Sequence, residues 1–209
     1  TQAELDGLKK SLAAERAIPA PVAEFLKSAG KFPPMETLRT AVSMLGLYDP
    51  DRDDDSIEAS TRKAHRLMSQ TSTAVTTFDR LRNGKELVAD DPSLGFAADF
   101  LYKLTGKKPD EISERTFDIA LILHADHELN ASTFAARVTA ATLSDIHSAA
   151  TSGIGALKGP LHGGANEDVI KMLLEAGSEA KALEHVHYRL NNKIKIPGFG
   201  HRVYKTEDP

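Results

Sequence analysis

Apolar residues recur along this chain at spacings of three and four, the period of amphipathic helices. Leu5, Leu8 and Leu12 share one face of a first helix that must stop before Pro19 and Pro21. Phe25 and Leu26 mark a second, short helix ending at Gly30. Pro34 suits a first helical position, and Met35, Leu38, Val42 and Leu45 then form a stripe closed by Gly46. Residues 49–55 are an acidic connector whose aspartates can cap a fourth helix. That helix is long, about 56–83, with Ile57, Ala64, Leu67, Met68, Val75 and Phe78 turned inward and Gly84 at its exit. Further helices are predicted over 94–104, 117–124, 132–152, 167–176 and 178–190, with Asn166 capping the fourth of these. Only 193–196 reads as a short strand. The pattern predicts an all-α fold without repeats or internal linkers.

Composition narrows the functional classes. At 209 residues, 41% hydrophobic and 27% charged, the chain can bury one good core. A net charge of -4 and an aromatic content of 6% without tryptophan argue against a nucleic-acid partner, which needs concentrated basic charge and stacking platforms. The absence of cysteine removes disulfides and thiolate metal sites. No apolar run reaches bilayer length and no secretory pattern opens the chain, so no membrane partner and a cytoplasmic location are expected. Thr1 starts inside a helical pattern and Pro209 ends in mid-phrase, which reads as a segment of a longer protein.

Three junctions break the amphipathic pattern, and each carries histidine. The first, His124-Ala125-Asp126-His127-Glu128-Leu129-Asn130, crowds polar groups between apolar flanks, where burial is costly unless each finds a partner. A zinc-protease helix would need a second histidine one turn after His127, but Ala131 stands there, so no metal is expected. The second, 155–166, brackets His162 with four glycines and a proline just before a helix. Glycine permits close approach of a ligand, and unpaired N–H groups at the helix start would favour an anion and a neutral His162. The third, 195–205, delivers His201 beside Arg202 and Lys205, a set suited to carboxylates or phosphates. The residues alone leave two readings open: a site for a small polyanion, or polar and glycine-rich connectors satisfied within the fold.

The stretches His-Ala-Asp-His-Glu-Leu-Asn-Ala-Ser-Thr (124–133), Gly-Pro-Leu-His-Gly-Gly-Ala-Asn (159–166) and Pro-Gly-Phe-Gly-His-Arg-Val-Tyr-Lys-Thr-Glu-Asp-Pro (197–209) resemble the three signatures of citrate synthase, in the family's order. The likeness extends along the chain, and the short loop at Leu129-Asn130 resembles the bacterial and archaeal form. It implies an all-α, multi-helical core of the large domain over 1–192, with 193–209 a hinge and active-site loop leading into a small domain that is largely absent. It implies a homodimer that condenses acetyl-CoA with oxaloacetate to citrate and CoA, in the tricarboxylic acid cycle, with neither metal nor cofactor. His162 and His201 would be catalytic: His162 donates a hydrogen bond to the thioester carbonyl, and His201 protonates the oxaloacetate carbonyl. His127 and Arg202 would bind substrate, while Leu161, Ile196, Gly198, Phe199 and Lys205 would contact CoA. The family's aspartate base falls beyond Pro209, and neither Asp126 nor Asp145 replaces it, so residues 1–209 alone are expected to be inactive. The alternatives are 2-methylcitrate synthase, which uses propionyl-CoA, and an inert helical module for dimerisation or ligand binding. The Ser/Thr/Ala-rich helix from Ser56 and the helix from Ser132 are the candidates for the dimer interface.

Overall fold

The computed structural model describes residues 1–125 and 129–199, and the described residues form ten helices and no strand. They are α1 (Gln2–Ala14), α2 (Ala20–Ser28), α3 (Pro34–Leu47), α4 (Ile57–Arg82), α5 (Phe96–Thr105), α6 (Glu111–Ala125), α7 (Ala131–Ala140), α8 (Ile146–Leu157), α9 (Gly164–Ala176) and α10 (Glu179–Asn191). The all-α expectation holds. No described helix is long and apolar enough to cross a membrane.

Local chemistry sets the boundaries. Thr1 and Glu4 close a capping box on α1, and Pro sits in the first turn of α2 and of α3, where no intrahelical N–H is lost. Ser56 caps α4 through the Ala59 N–H. At its far end Gly84, at φ 65°, lets the Gly84 and Lys85 N–H groups reach back to the Leu81 and Arg80 carbonyls. Helix α6 starts at Glu111, six residues before its expected start, and two other elements differ in kind. The helix expected over 132–152 is two helices, because Leu143 turns left-handed at φ 63° and the Asp145 carboxylate accepts from the Ser148 N–H, capping α8. The strand expected over 193–196 is a helix stop. Lys193 sits at φ 55°, and the N–H groups of Lys193 and Ile194 bond the Leu190 and Arg189 carbonyls, so these donors are spent on closing α10.

The chain divides into two compact units, Thr1–Gly155 and Ala156–Pro209, the boundary falling inside α8. Compactness is a different criterion from the domain boundary expected near residue 193. In the first unit, α2, α3 and α4 bury Val22, Leu26, Ala29, Ala41, Leu45, Ala74 and Phe78 as one cluster. Each large side chain in it contributes about 1.5–3 kcal/mol by leaving water. From the stripe on α1 only Leu12 is buried; Leu5 and Leu8 face solvent.

The inward face of α4 is the main surprise. Ile57 and Met68, expected inside, are exposed, whereas Lys63, Arg66, Ser69 and Gln70 are buried. Each of these four side chains has found a partner. Ser69 donates to the Leu12 carbonyl and Gln70 to that of Ala17, tying α1 to α4, and Lys63 donates to the Asp54 carbonyl. Arg66 bonds Asp49 at 2.6 Å, Asp51 at 3.0 Å and Glu15 at 3.1 Å. Burial works against the guanidinium's charge, yet the bonds to Asp49 and Asp51 hold its pKa above the ordinary value. Arg62 and Arg66 together draw the Asp51 carboxyl down to about 2. A second cluster joins α1 to α5: Arg16 lies 3.3 Å from Asp99, and Lys103 lies 2.8 Å from Asp90 and 3.0 Å from Asp99. Ion pairs this buried are costly to break singly, since the remaining charge loses its compensation.

The same connector fixes α8. Asp49 Oδ2 lies 3.5 Å from Nε2 of the buried His147, at the start of α8, and the His147 side chain covers Gly46 on α3. Gly46 therefore does not end α3; it lies within the helix, under the His147 side chain. Burial lowers the His147 pKa, against the pull of Asp49 and Asp145.

Candidate active site

Of the residues singled out from the sequence, His127, His201, Arg202 and Lys205 lie outside the described residues. Leu161, His162, Ile196, Gly198 and Phe199 all belong to the second unit.

The turn that carries His162 is held by its own backbone. The Gly159 N–H bonds the Ala156 carbonyl, and the N–H groups of His162 and Gly164 both bond the Gly159 carbonyl, at 3.0 and 3.3 Å. The Gly163 N–H reaches the Leu157 carbonyl at 3.0 Å. That last contact explains one glycine. A β-carbon at Gly163 would stand 2.5 Å from the Leu157 oxygen and 2.9 Å from its Cγ, so no side chain fits. The glycines of this segment were expected to make room for a ligand; at this position the close neighbour is the chain itself.

Two further expectations are corrected. Helix α9 begins at Gly164, three residues before the expected start, with Gly163 as its cap residue and Asn166 already in the first turn. Nor are the N–H groups at this helix start unpaired, since those of Ala165 and Asn166 bond the carbonyls of His162 and Gly163. What remains for a ligand is the positive end of the helix dipole, and His162, half-buried, sits immediately before the cap residue. Leu161 next to it is 91% exposed. An apolar side chain displayed on so rigid a turn contributes nothing to the core of its own unit.

The third signature approaches α9 from the other side. Gly198 has φ 83°, a conformation that L side chains rarely adopt, and a β-carbon there would stand 3.0 Å from Val169 Cγ2 on α9. Gly198 is thus required twice, by backbone and by contact. Ile196 is half-buried and Phe199 is 74% exposed. The unit therefore brings the 196–199 loop against α9, whose first turn comes directly after the His162 segment.

The loop has a polar anchor that sequence reasoning missed. Arg189 of α10 donates from Nη1 to the Lys195 carbonyl at 2.9 Å, from Nη2 to Glu175 of α9 at 2.7 Å, and from Nε to His185 Nε2 at 2.8 Å. The only sequence cue was the four-residue spacing of His185 and Arg189 on a predicted helix.

At the first junction, the described residues do structural work. His124 Nδ1 bonds the Ala120 carbonyl at 2.7 Å in the last turn of α6, and Asn130 caps α7 by accepting from the Thr133 N–H at 2.9 Å. For these two positions the connector reading stands. Asp145 is likewise occupied as the cap of α8.

The described residues thus define an all-helical protein that carries one histidine on a glycine turn at the head of α9 and packs a second glycine loop against the same helix. Comparison with known proteins gives its family. A family description for the citrate synthase C-terminal domain matches residues 1–209, and the chain belongs to the citrate synthase family. Citrate synthase 2 of Bacillus subtilis is 52% identical over 208 residues, covering 99% of this chain and 56% of that protein. A 2-methylcitrate synthase of Mycobacterium tuberculosis is 47% identical over 175 residues, 84% of this chain and 44% of that protein. The crystal structure of the Thermoplasma acidophilum citrate synthase, a ternary complex with carboxymethyl coenzyme A and oxaloacetate, superposes with a TM-score of 0.88 at 30% identity, covering 100% of this chain and 55% of that one. The chain thus spans about half the length of the relatives it matches.

Proposed function

We propose that this chain supplies the acid and binding side of a citrate synthase active site, for the condensation of acetyl-CoA with oxaloacetate. The observation that carries the reading is the 52% identity to a named citrate synthase over 99% of this chain. An archaeal relative holds a CoA analogue and oxaloacetate on the same fold, which supports this pair of substrates.

In this reading a carboxylate base, expected beyond residue 209, removes a proton from the acetyl methyl group. His162 donates a hydrogen bond to the thioester oxygen, so that the electron pair left by that proton is held there as a hydrogen-bonded enolate. The turn suits that task because it is rigid: every backbone N–H from His162 to Asn166 is already bonded, so little reorganises as charge develops. The enolate carbon attacks the oxaloacetate carbonyl, whose oxygen takes its proton from His201 as the thioester carbonyl re-forms. Hydrolysis of the resulting thioester releases CoA and citrate. His127 and Arg202 hold oxaloacetate, while Leu161, Ile196, Gly198, Phe199 and Lys205 hold CoA. The thioester is itself the substrate, so the reaction needs neither metal nor cofactor. Propionyl-CoA is the second reading for the acyl donor, favoured by the mycobacterial relative but over a shorter match.

Self-association as a homodimer in the cytoplasm completes the proposal. Helix α4, one of the two interface candidates, is committed to the core of its own unit, where it packs against α1, α2, α3 and α5. Helices α6 and α7 have no buried residue and display Ile119, Ile122, Phe134 and Val138, so the interface is assigned to them.

The test is release of free thiol from acetyl-CoA by the full-length gene product, dependent on oxaloacetate. His162→Ala should lower kcat by about 10²–10³ with little change in the oxaloacetate KM. A wild-type protein that releases no thiol, or a His162→Ala variant of undiminished kcat, defeats the reading. Residues 1–209 by themselves should release none.

A further inference from the structure

We infer that Arg189 is a positioning residue for the acyl-CoA loop, fixing the direction in which residues 196–199 leave α10. The inference rests on the citrate synthase reading for the identity of the ligand, and on the geometry of the second unit for everything else.

The loop is held at three points. Its start is the left-handed stop at Lys193, where backbone bonds to Leu190 and Arg189 close the helix. Its end is Gly198, pressed on Val169 of α9. Between them stands the Lys195 carbonyl, which accepts from Arg189 Nη1 at 2.9 Å. The other two nitrogens of the same guanidinium are also engaged, Nη2 by Glu175 at 2.7 Å and Nε by His185 at 2.8 Å. Three partners on one planar group leave it no freedom to rotate, and its side chain is only 14% exposed. The Nε–H bond also requires His185 Nε2 to be an acceptor, which places that ring's proton on Nδ1.

The bond of Arg189 to the loop is made to the Lys195 carbonyl, so it acts through the backbone. Without it, Lys195 loses its polar tether while the helix stop and the Gly198 contact persist. The loop would then sample several exits from α10, and only some would present Ile196 and Phe199 to an adenine-bearing ligand. The loss therefore falls on CoA affinity rather than on oxaloacetate. A lysine at 189 is a point charge that can satisfy one of the three partners, so it should rescue only in part.

The experiment uses the full-length gene product with Arg189→Ala, Arg189→Lys and, as a control at an exposed position of the same helix, Lys181→Ala. For Arg189→Ala the KM for acetyl-CoA should rise about tenfold, the penalty for losing a charge-assisted bond, with the oxaloacetate KM within about twofold. Arg189→Lys should fall between, and Lys181→Ala should match wild type. Tryptic cleavage after Lys195, followed by mass, gives a readout independent of catalysis and should be about tenfold faster in Arg189→Ala. If both KM values rise together, or kcat alone falls, Arg189 is merely structural and the inference is wrong. Unchanged cleavage in an active enzyme overturns the tether itself. A wild-type protein without thiol release removes the functional reading, and the assignment to acyl-CoA goes with it.

Discussion

Placing a methyl group at Gly46 tests whether α8 is truly seated on α3. By intrinsic propensity the change should help, because glycine within a helix costs about 0.8–1 kcal/mol relative to alanine. The packing says otherwise. The new carbon would stand 2.9 Å from Cβ and 3.1 Å from Cγ of His147, well inside the roughly 3.5–4 Å at which carbon atoms rest. The offending atom is the β-carbon of a buried residue, so it cannot swing aside; α8 itself must retreat by roughly 1 Å, the difference between those distances. Retreat also lengthens the 3.5 Å approach of His147 to Asp49, whose buried Oδ2 has no hydrogen-bond donor to compensate. Overpacking of this kind costs about 1–3 kcal/mol, enough to outweigh the propensity gain. Gly46→Ala should therefore be net destabilised by about 1 kcal/mol, a fall in Tm of roughly 2–4 °C for a chain of this size.

Gly7 supplies the control. It lies within α1, exposed, with nothing within 4 Å of a β-carbon, so Gly7→Ala should raise stability by about 0.5–1 kcal/mol. Both variants are to be measured by thermal and urea unfolding monitored by circular dichroism at 222 nm. If Gly46→Ala is as stable as wild type while Gly7→Ala behaves as expected, the α3–α8 contact is not close, and the account of Gly46 is refuted.

His147 predicts a pH dependence. Because burial lowers its pKa in the folded state, the unfolded chain binds the extra proton first, and stability is complete above about 6.5 and declines as pH falls through that value. His147→Gln should flatten the slope of stability between pH 7 and 5.5, and an unchanged slope would assign it to other groups. Gly163→Ala should disrupt the turn, since the Leu157 carbonyl stands 2.5 Å from the added carbon; kcat should drop at least about tenfold in the thiol-release assay while helix content is kept.

How far the sequence carried the fold depended on what each residue was interacting with. Local signals were readable. The prolines at the heads of α2 and α3, Ser56 before α4 and the spacing of Val42 and Leu45 act on their own segment, and the helices lie where they point. Tertiary choices were not. Nothing in periodicity distinguishes a lysine at position 63 that faces water from one that is 2% exposed, because the difference is made by Asp54, on a connector folded back on the helix. The glycines divide in the same way. Gly84 and Gly198 answer to a left-handed backbone, which a local pattern can propose, whereas Gly46 and Gly163 answer to His147 and to the Leu157 carbonyl. A glycine therefore reads alike in sequence whether it serves a turn, a helix crossing or a ligand, and only its neighbour decides. The His162 turn shows why this matters for function. Its glycines first read as space for a ligand, and its helix N–H groups as an anion cradle. With those donors bonded and Gly163 filled by backbone, the turn is better described as one held rigid by its own backbone bonds. Rigidity is what a hydrogen bond to a developing oxyanion requires, since a donor that must first reorient gives back the stabilisation it provides. In the proposed mechanism the signature therefore acts as a set of backbone bonds that fix the turn carrying His162.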